Sequence, residues 1–282
     1  MGESFEVVVV GSLHLDIMVK GPHLPQIDET VMGSRWGYKC GGKGGNQAVA
    51  ASRARARTAF VGCVGDDDFG RRLLTNLGDA DVDRTRIVVD GAAGSGMSVA
   101  IETADGDYGA VVVPGANRKI AAAQLDGLTA TVLLLQNEIE PAINLAAAER
   151  LKPVGAIVIH NMAPFVTVDE RLLRLTDVVV VNRVEAEAMT GERDYQRAAL
   201  AIAAMGCAAI VTAGEQGSVV AARGGSLTSI AATPVKAVST HGAGDCFCGT
   251  LAAELAKGIN LAAATAKASA AAARLVSGQL AI

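Results

Sequence analysis

The chain has 282 residues, of which half are apolar and only 3% are aromatic, and its formal net charge is −4. This length is sufficient for a full hydrophobic core, and the composition favours an α/β protein built from Ala, Val and Leu. The acidic balance excludes non-specific nucleic-acid binding, which needs a basic face.

Neither the cysteines nor the ends of the chain suggest secretion or a membrane. The five cysteines form no zinc-binding spacing and no even-numbered disulfide framework, which favours a reducing cytoplasm. The first six residues lack the basic region of a signal peptide. The Ala-rich stretch 261–276 carries Lys267 and Arg274, so it predicts a packed helix rather than a membrane span. We therefore expect a cytoplasmic protein that binds neither membrane nor nucleic acid.

Short apolar runs recur along the chain and predict strands that are covered on both faces. They lie at residues 7–10, 132–135, 156–159, 178–181 and 208–211. Helical patterns, such as those at 142–151 and 185–190, lie between them. This alternation predicts an α/β fold with a doubly wound, mainly parallel sheet and helices on both faces. In such folds ligands bind beyond the carboxyl ends of the strands.

Two segments, at about 17–38 and 97–113, interrupt this alternation. In the second, the apolar stretches 97–102 and 109–113 flank the turn residues 104–107, which predicts a β-hairpin. No linker or internal repeat is evident. We therefore predict a single domain, 1–282, with a small β subdomain formed from about 12–40 and 95–115.

Two polar residues near the start are candidates for ligand contacts. Asp16 follows the first apolar strand and is expected at its end, where a carboxylate can accept two hydroxyl hydrogen bonds. His14 should face the same side, because side chains alternate along a strand. From the sequence alone, a surface role for His14 is as plausible as a contact role.

A glycine-rich segment at 40–47 precedes the helical run 48–54. It nearly fits a P-loop, but Gly44 stands where Ser or Thr would hold Mg²⁺, and no convincing apolar strand leads into it. The better interpretation is that Gly41 and Gly42 bring the backbone close to a small polar ligand. Helix capping is an alternative role for Asn46 and Gln47.

A second glycine-rich segment, Thr-His-Gly-Ala-Gly-Asp at 240–245, runs into a helical pattern with Gly258 placed to end it. Gly242, Ala243 and Gly244 would offer free backbone N–H groups and the positive end of a helix dipole, which suit an anion. Asp245 beside an anion makes sense if it takes a proton from a hydroxyl that attacks a phosphoryl group. A simple glycine turn with a capping acid fits the residues equally well.

Together the segments at 40–47 and 240–245 resemble the paired signatures of the ribokinase-like (PfkB-type) carbohydrate kinase family. Further pieces resemble the family in the same order, and they lie at 11–16, 114–117, 136–138, 182–185 and 211–217. The resemblance spans residues from about 7 to about 260. It implies an ATP-dependent kinase that phosphorylates a hydroxymethyl group of a small sugar such as the pentose D-ribose, with a small β lid that often forms a homodimer.

The resemblance also assigns roles to residues. Asp245 would be the base, and the N–H groups at 242–245 would hold the developing phosphoryl charge. The sugar-contacting candidates are His14, Asp16, Gly41, Gly42, Lys43, Asn46 and Glu138. Glu140 is a nearby rival to Glu138, and His14 stands where the family usually has Asn.

The nucleotide candidates are Asn182, Thr212, Gly214, Gly217 and Gly244, with Glu185 near hydrated Mg²⁺. Capping of a helix is the alternative role for Asn182 and Glu185. Many members also bind K⁺, but Ser239 replaces the usual carboxylate ligand, which leaves a potassium requirement open.

Two other functions remain open at this stage. A related kinase could act on a nucleoside or a phosphorylated sugar, although a phosphosugar would need extra Arg or Lys near Asp16, and only Lys20 and Arg35 are close in sequence. A non-catalytic sugar sensor would be expected to have lost Asp245 or the neighbouring glycines.

Overall fold

The computed structural model describes residues 3–103, 108–167 and 169–280. Its strands are β1 (Glu3–Val10), β2 (His14–Gly21), β3 (Arg35–Gly41), β4 (Thr58–Gly65), β5 (Asp83–Asp90), β6 (Met97–Thr103), β7 (Tyr108–Val113), β8 (Leu128–Gln136), β9 (Ile157–Asn161), β10 (Val178–Asn182), β11 (Ala208–Thr212), β12 (Ser218–Ala221) and β13 (Leu227–Ile230). Its helices are α1 (Lys43–Arg53), α2 (Asp68–Asp79), α3 (Pro141–Leu151), α4 (Glu170–Leu175), α5 (Arg183–Thr190), α6 (Tyr195–Ala204), α7 (Ala243–Ala256) and α8 (Leu261–Val276).

The large sheet has nine strands in the order β13-β12-β11-β10-β9-β8-β1-β4-β5. Neighbouring strands from β11 to β5 are parallel, and only β12 and β13 at one edge are antiparallel. Helices cover both faces, so the predicted fold class is confirmed. Four of the five apolar runs lie entirely in strands of the parallel part, and the run 156–159 begins one residue before β9.

The central strand β1 shows why these runs lack a polar face. Val7 and Val9 pack into a core layer with residues of α1 and α7, whereas Val8 and Val10 pack into the opposite layer with residues of α3. Successive side chains of a strand point to opposite faces, so a strand covered on both sides must be apolar at every position.

The helix predictions are largely confirmed. Helix α8 has the predicted bounds, and α7 is followed by Gly258 in the left-handed conformation at φ 79°. Helix α1 begins five residues before the predicted run, at Lys43 rather than Ala48. Gly42 precedes it at φ 85°, and a Cβ there would lie only 2.7 Å from the carbonyl oxygen of Ser12. This start therefore requires glycine.

A separate four-stranded sheet, in the order β3-β2-β6-β7, is built from the two segments that interrupt the alternation. We call it the small sheet. Strands β6 and β7 pair antiparallel, which confirms the predicted hairpin, although its turn at 104–107 lies outside the described residues. Strand β3 leads into the glycine-rich segment, but six of its seven residues are exposed or half-buried, so it is not a buried apolar strand.

The position of Asp16 corrects one expectation. The first strand ends at Val10, and Asp16 is the third residue of β2 in the small sheet. The break follows from local packing, because Gly11 lies against the side chain of Gln136 and has no room for a Cβ. Asp16 is therefore presented from the small sheet rather than from the end of a strand in the large one. Within the described ranges, no helix is long and apolar enough to cross a membrane.

Candidate active site

The starts of α1 and α7 come together around Asp245. Asn46 Nδ2 donates to Asp245 Oδ2 at 2.9 Å, and Gln47 Nε2 donates to Asp245 Oδ1 at 3.3 Å. Gln47 Nε2 also lies 3.1 Å from Asn161 Oδ1 at the end of β9. Helix α1 has no side-chain cap, so capping by Asn46 or Gln47 is wrong. Both side chains instead fix the orientation of one carboxylate.

This contact needs the two helices to approach closely. Gly249 of α7 lies against the backbone of α1, and a Cβ at that position would come within 2.7 Å of Ala50 Cβ. A larger residue would push the helices apart and separate Asn46 and Gln47 from Asp245. Close packing of α1 against α7 is therefore needed to hold Asn46 and Gln47 against Asp245.

Asp245 is almost fully buried, at 7% exposure, and its pKa is raised to about 6. Burial is the main cause, because it penalises the charged carboxylate. The positive charge of Lys43 and the hydrogen bonds from Asn46 and Gln47 oppose the rise, while the negative charge of Glu138 adds to it. A carboxylate with this pKa is ionised at neutral pH and is a better proton acceptor than an ordinary aspartate.

A cavity of about 250 Å³ opens beside the start of α7. The polar or glycine residues that line it are Lys43, Asn161, Asn182, Glu185, Thr212, Thr240, Gly242, Gly244 and Asp245. Gly242 adopts the left-handed conformation at φ 80°, and a Cβ on Gly244 would meet open space. The free N–H groups of the helix start and the ammonium group of Lys43 are donors that suit an anion.

Lys43 remains positively charged despite its surroundings. Burial by itself would lower its pKa, but the carboxylates of Asp245, Glu138 and Glu185 outweigh that effect and the pKa is raised. The backbone N–H of Lys43 also donates to Glu138 Oε2 at 2.8 Å. Lys43 therefore interacts electrostatically with Asp245, Glu138 and Glu185, and its backbone also binds Glu138.

A second group of polar side chains comes from the small sheet and from the segments that follow β1 and β8. Asp16 Oδ1 accepts a hydrogen bond from Ser98 Oγ at 2.5 Å. Glu138 Oε2 accepts one from Ser12 Oγ at 2.5 Å. His14 is 5% exposed, with Nδ1 4.0 Å from Glu138 Oε2, so a surface role for His14 is wrong. Its Nε2 is buried and has no hydrogen-bond partner among the described residues.

The rival carboxylate Glu140 has different partners. It is half exposed and 3.8 Å from Arg118 Nε, in a groove that Glu138 also lines. Only Glu138 of the two contacts Ser12 and Lys43.

Asn182 and Glu185 do cap a helix. Asn182 Oδ1 accepts from Glu185 N at 2.9 Å, and Glu185 Oε2 accepts from Asn182 N at 2.8 Å, which is a capping box at the start of α5. Both residues nevertheless line the cavity, and burial raises the pKa of Glu185. The capping role and a role at the cavity are therefore compatible.

Not all nucleotide candidates meet at the cavity. Thr212 lines it, but Gly214 and Gly217 lie in the turn between β11 and β12, at φ 58° and 85°. Ala213 N donates to Gly217 O at 2.8 Å and closes this turn. The two glycines are required by its backbone conformation.

Four residues of the site were not selected from the sequence. Ser12 and Gln47 lie within the segments 11–16 and 40–47 that resemble the family, and this position could have marked them. Their respective partners, Glu138 and Asp245, are distant in sequence. Ser98 and Asn161 reach the site only through the pairing of β2 with β6 and the position of β9. No local pattern marks them.

The comparisons with known proteins agree with this geometry. The family model described as pfkB family carbohydrate kinase matches residues 4–282. The fold and the site thus define a carbohydrate kinase. The chain belongs to the pfkB family of carbohydrate kinases, and the family resemblance found in the sequence is confirmed.

Within that family the chain is similar to ribokinases. It is 33% identical to ribokinase from Mus musculus over 272 residues, which cover 92% of this chain and 84% of the mouse protein. The structure of Arabidopsis thaliana ribokinase complexed with ribose and ATP matches with a TM-score of 0.90 and 28% identity, covering 99% of this chain and 94% of that one. Ribokinase from Thermotoga maritima matches with a TM-score of 0.88 and 30% identity, over 97% and 93% of the two chains.

Proposed function

We propose that this chain is an ATP-dependent kinase that transfers the γ-phosphoryl group of ATP to the hydroxymethyl group of a pentose such as D-ribose. The observation that carries the proposal is the buried carboxylate of Asp245 at a glycine-rich helix start, between an anion-binding cavity and the polar residues of the small sheet. The similarity to ribokinases, including one complexed with ribose and ATP, supports this choice of substrates.

Asp245 is the general base of the reaction. Its carboxylate takes the proton of the sugar hydroxyl, whose oxygen bonds to the γ-phosphorus while the bond from that phosphorus to the β–γ bridging oxygen breaks and ADP leaves. The N–H groups at 242–245 and the Lys43 ammonium stabilise the negative charge on the transferring group. Such preorganised donors supply most of the catalysis in phosphoryl transfer.

The sugar occupies the space between Asp245 and the small sheet. Asp16, Glu138 and His14 lie on the sheet side, with Glu138 held by Ser12. Gly41, Gly42, Lys43 and Asn46 border the same space at the start of α1. Asp16 Oδ2 has no hydrogen-bond donor among the described residues, which leaves it available for a sugar hydroxyl.

The phosphates of ATP occupy the cavity at the start of α7, near Asn182, Thr212 and Gly244. Gly214 and Gly217 shape the adjoining loop for the nucleoside. Glu185 lines this cavity, and the described residues contain no cluster of three His, Cys, Asp or Glu that could hold a metal by themselves. A half-buried carboxylate beside a phosphate cavity fits Mg²⁺ bound through water, where the ion would neutralise phosphate charge.

A potassium ion is not needed in this proposal. Ser239 supplies only a neutral hydroxyl, and its Oγ accepts a hydrogen bond from His241 N at 3.3 Å. Without a carboxylate at this position the attraction for a monovalent cation is weaker.

The small sheet is proposed to act as a lid over the sugar and to form a homodimer through its outer face. Tyr38, Val99 and Val111 lie in one row across that face and are 43%, 36% and 69% exposed, and Trp36 beside them is 64% exposed. An apolar row of this kind favours association with another apolar surface. The five cysteines are all free thiols, which supports a reducing, cytoplasmic setting.

The test is a substrate panel with ATP and Mg²⁺ in which ADP release is measured. The panel contains pentoses, hexoses, phosphorylated sugars and nucleosides, with a no-acceptor control for ATP hydrolysis. The proposal predicts the highest kcat/KM for ribose or another pentose. Preferred turnover of a nucleoside or a sugar phosphate would contradict the proposed substrate class but retain the kinase, whereas no acceptor-dependent ADP release would contradict both.

A further inference from the structure

Lys39 lies opposite Asp16 in the small sheet. The antiparallel register of β2 and β3 pairs the two residues directly, and β6 continues the row with Ser98. Directly opposed residues of an antiparallel pair project from the same face of the sheet. Because Asp16 faces the site, Lys39 faces it as well.

The ammonium group of Lys39 has no partner in the described part of the chain. It forms no ion pair and donates no hydrogen bond there, although the side chain is half-buried. Its pKa is lowered, mainly because burial disfavours the charged form, while the negative charges of Asp16 and Asp245 oppose this shift. Lys39 is thus a partly desolvated cation within electrostatic reach of both carboxylates, with three donor positions unused.

Asp16 provides the complementary group. Its Oδ1 is occupied by Ser98, and its Oδ2 lies so close to Gly41 that a Cβ there would collide with it. The row therefore presents one free carboxylate oxygen and one free ammonium group to the same space. The two charges balance, so this surface suits a neutral molecule with neighbouring hydroxyl groups better than an anion.

We propose that Lys39 is a specificity-determining residue that donates a hydrogen bond to the acceptor sugar, at the hydroxyl oxygen next to the one held by Asp16. The proposal rests on the proposed sugar kinase function. One hydroxyl donates to Asp16 while its neighbour accepts from Lys39, and the pair selects sugars that carry both hydroxyls.

A role on the phosphate side is not favoured by the geometry. Lys43 lines the cavity at the start of α7, and Lys39 does not. Lys39 reaches the site from the small sheet, where it neighbours Asp16. Its removal should therefore weaken sugar binding rather than slow the transfer step.

The test compares Lys39→Met with Lys39→Arg, which keeps a cationic donor. Lys20→Met is the matched control, since it removes the same charge from the same face of the small sheet, at a position in β2 roughly 13 Å from Asp16 at the usual rise per residue. For each protein, kcat and KM are measured with ribose, 2-deoxyribose and 3-deoxyribose, and the KM of ATP is measured separately.

We expect Lys39→Met to raise the ribose KM by roughly ten- to a hundredfold, the range for a lost hydrogen bond to a charged group, with the ATP KM unchanged. The wild type should discriminate against the deoxypentose that lacks the hydroxyl at Lys39, and Lys39→Met should lose that discrimination. Lys39→Arg should retain part of it, and Lys20→Met should behave as the wild type.

Two results would overturn the role of Lys39 while leaving the kinase intact. They are an unchanged ribose KM and discrimination in Lys39→Met, and an equal fall in kcat for all three sugars. Failure of the wild type to phosphorylate any pentose would overturn the proposed function and this proposal with it.

Discussion

Replacing Asp245 with Asn should have opposite effects on activity and stability. The substitution removes the base but keeps the size of the side chain at the start of α7. A positioned base contributes on the order of 10²–10⁴ in rate, so kcat should fall by at least about a hundredfold. The affinity for ATP should be nearly unchanged, because the backbone N–H groups and Lys43 remain in place.

The stability effect follows from the raised pKa of Asp245. A shift from 3.8 to about 6 means that ionising this carboxylate costs the folded protein about 3 kcal/mol at neutral pH. Since the folded-state pKa lies above the unfolded one, the associated stability is fully present below about pH 4 and is lost as the pH rises through about 6. Asn carries no charge and avoids this loss.

Part of the gain is offset by hydrogen bonding. Asn46 and Gln47 both donate to the carboxylate, and an amide offers only one acceptor oxygen to them. One lost hydrogen bond costs about 1 kcal/mol, which leaves a net gain of about 2 kcal/mol at neutral pH.

The assay is urea unfolding of both proteins at about pH 4.5 and about pH 7.5, together with steady-state kinetics. The free energy of unfolding of Asp245→Asn should exceed that of the wild type at the higher pH, and the difference should shrink by about 2 kcal/mol at the lower pH. Near-full turnover by the variant would refute the base. A stability difference that does not depend on pH would refute the raised pKa.

Three further predictions concern the acceptor, the base and the cation. Asp16→Ala removes the carboxylate that accepts a hydrogen bond from Ser98. It should raise the sugar KM by about ten- to a hundredfold and the ATP KM far less. A rise in the ATP KM alone would mean that the proposed positions of the two substrates are wrong. The pH profile of kcat/KM should fall about tenfold per pH unit below about 6, because Asp245 must be ionised to accept a proton; a profile that stays level down to about pH 4 would contradict this. Rates in sodium, potassium and Tris buffers of matched ionic strength should be similar, because Ser239 is neutral, and strong potassium activation would show that backbone carbonyls suffice.

The large sheet could be predicted from the sequence because its strands are buried on both faces. Each predicted run in β1, β8, β9, β10 and β11 is continuously apolar, and that pattern is distinctive. Strands β4 and β5 were not identified. β5 lies at an edge and is mostly half-exposed or exposed, so its polar residues hide the pattern. The edge strand β13 is also largely exposed, whereas β12 is buried but only four residues long.

The site was predictable where its residues lie in the glycine-rich segments. Asp245 could be predicted because a helix start with small residues suits an anion, whereas Lys43 and Asn46 follow from the family resemblance. The position of Asp16 in the small sheet was not predictable, because it depends on the pairing of β2 with β3 and β6. The nearness of Lys39 to Asp16 depends on strand register, which no local pattern reveals. Sequence distance alone indicates only Lys20 and Arg35 as basic residues near Asp16.

The most direct test of the account is the identity of the phosphorylated product. Purified protein is incubated with ribose, ATP and Mg²⁺, and the product is examined by phosphorus–proton correlation NMR, with Asp245→Asn as the control. The account predicts one sugar monophosphate whose phosphorus couples to the two hydroxymethyl protons, formed far more slowly by the variant. Phosphate attached to another carbon, or inorganic phosphate formed at the same rate without the sugar, would contradict it.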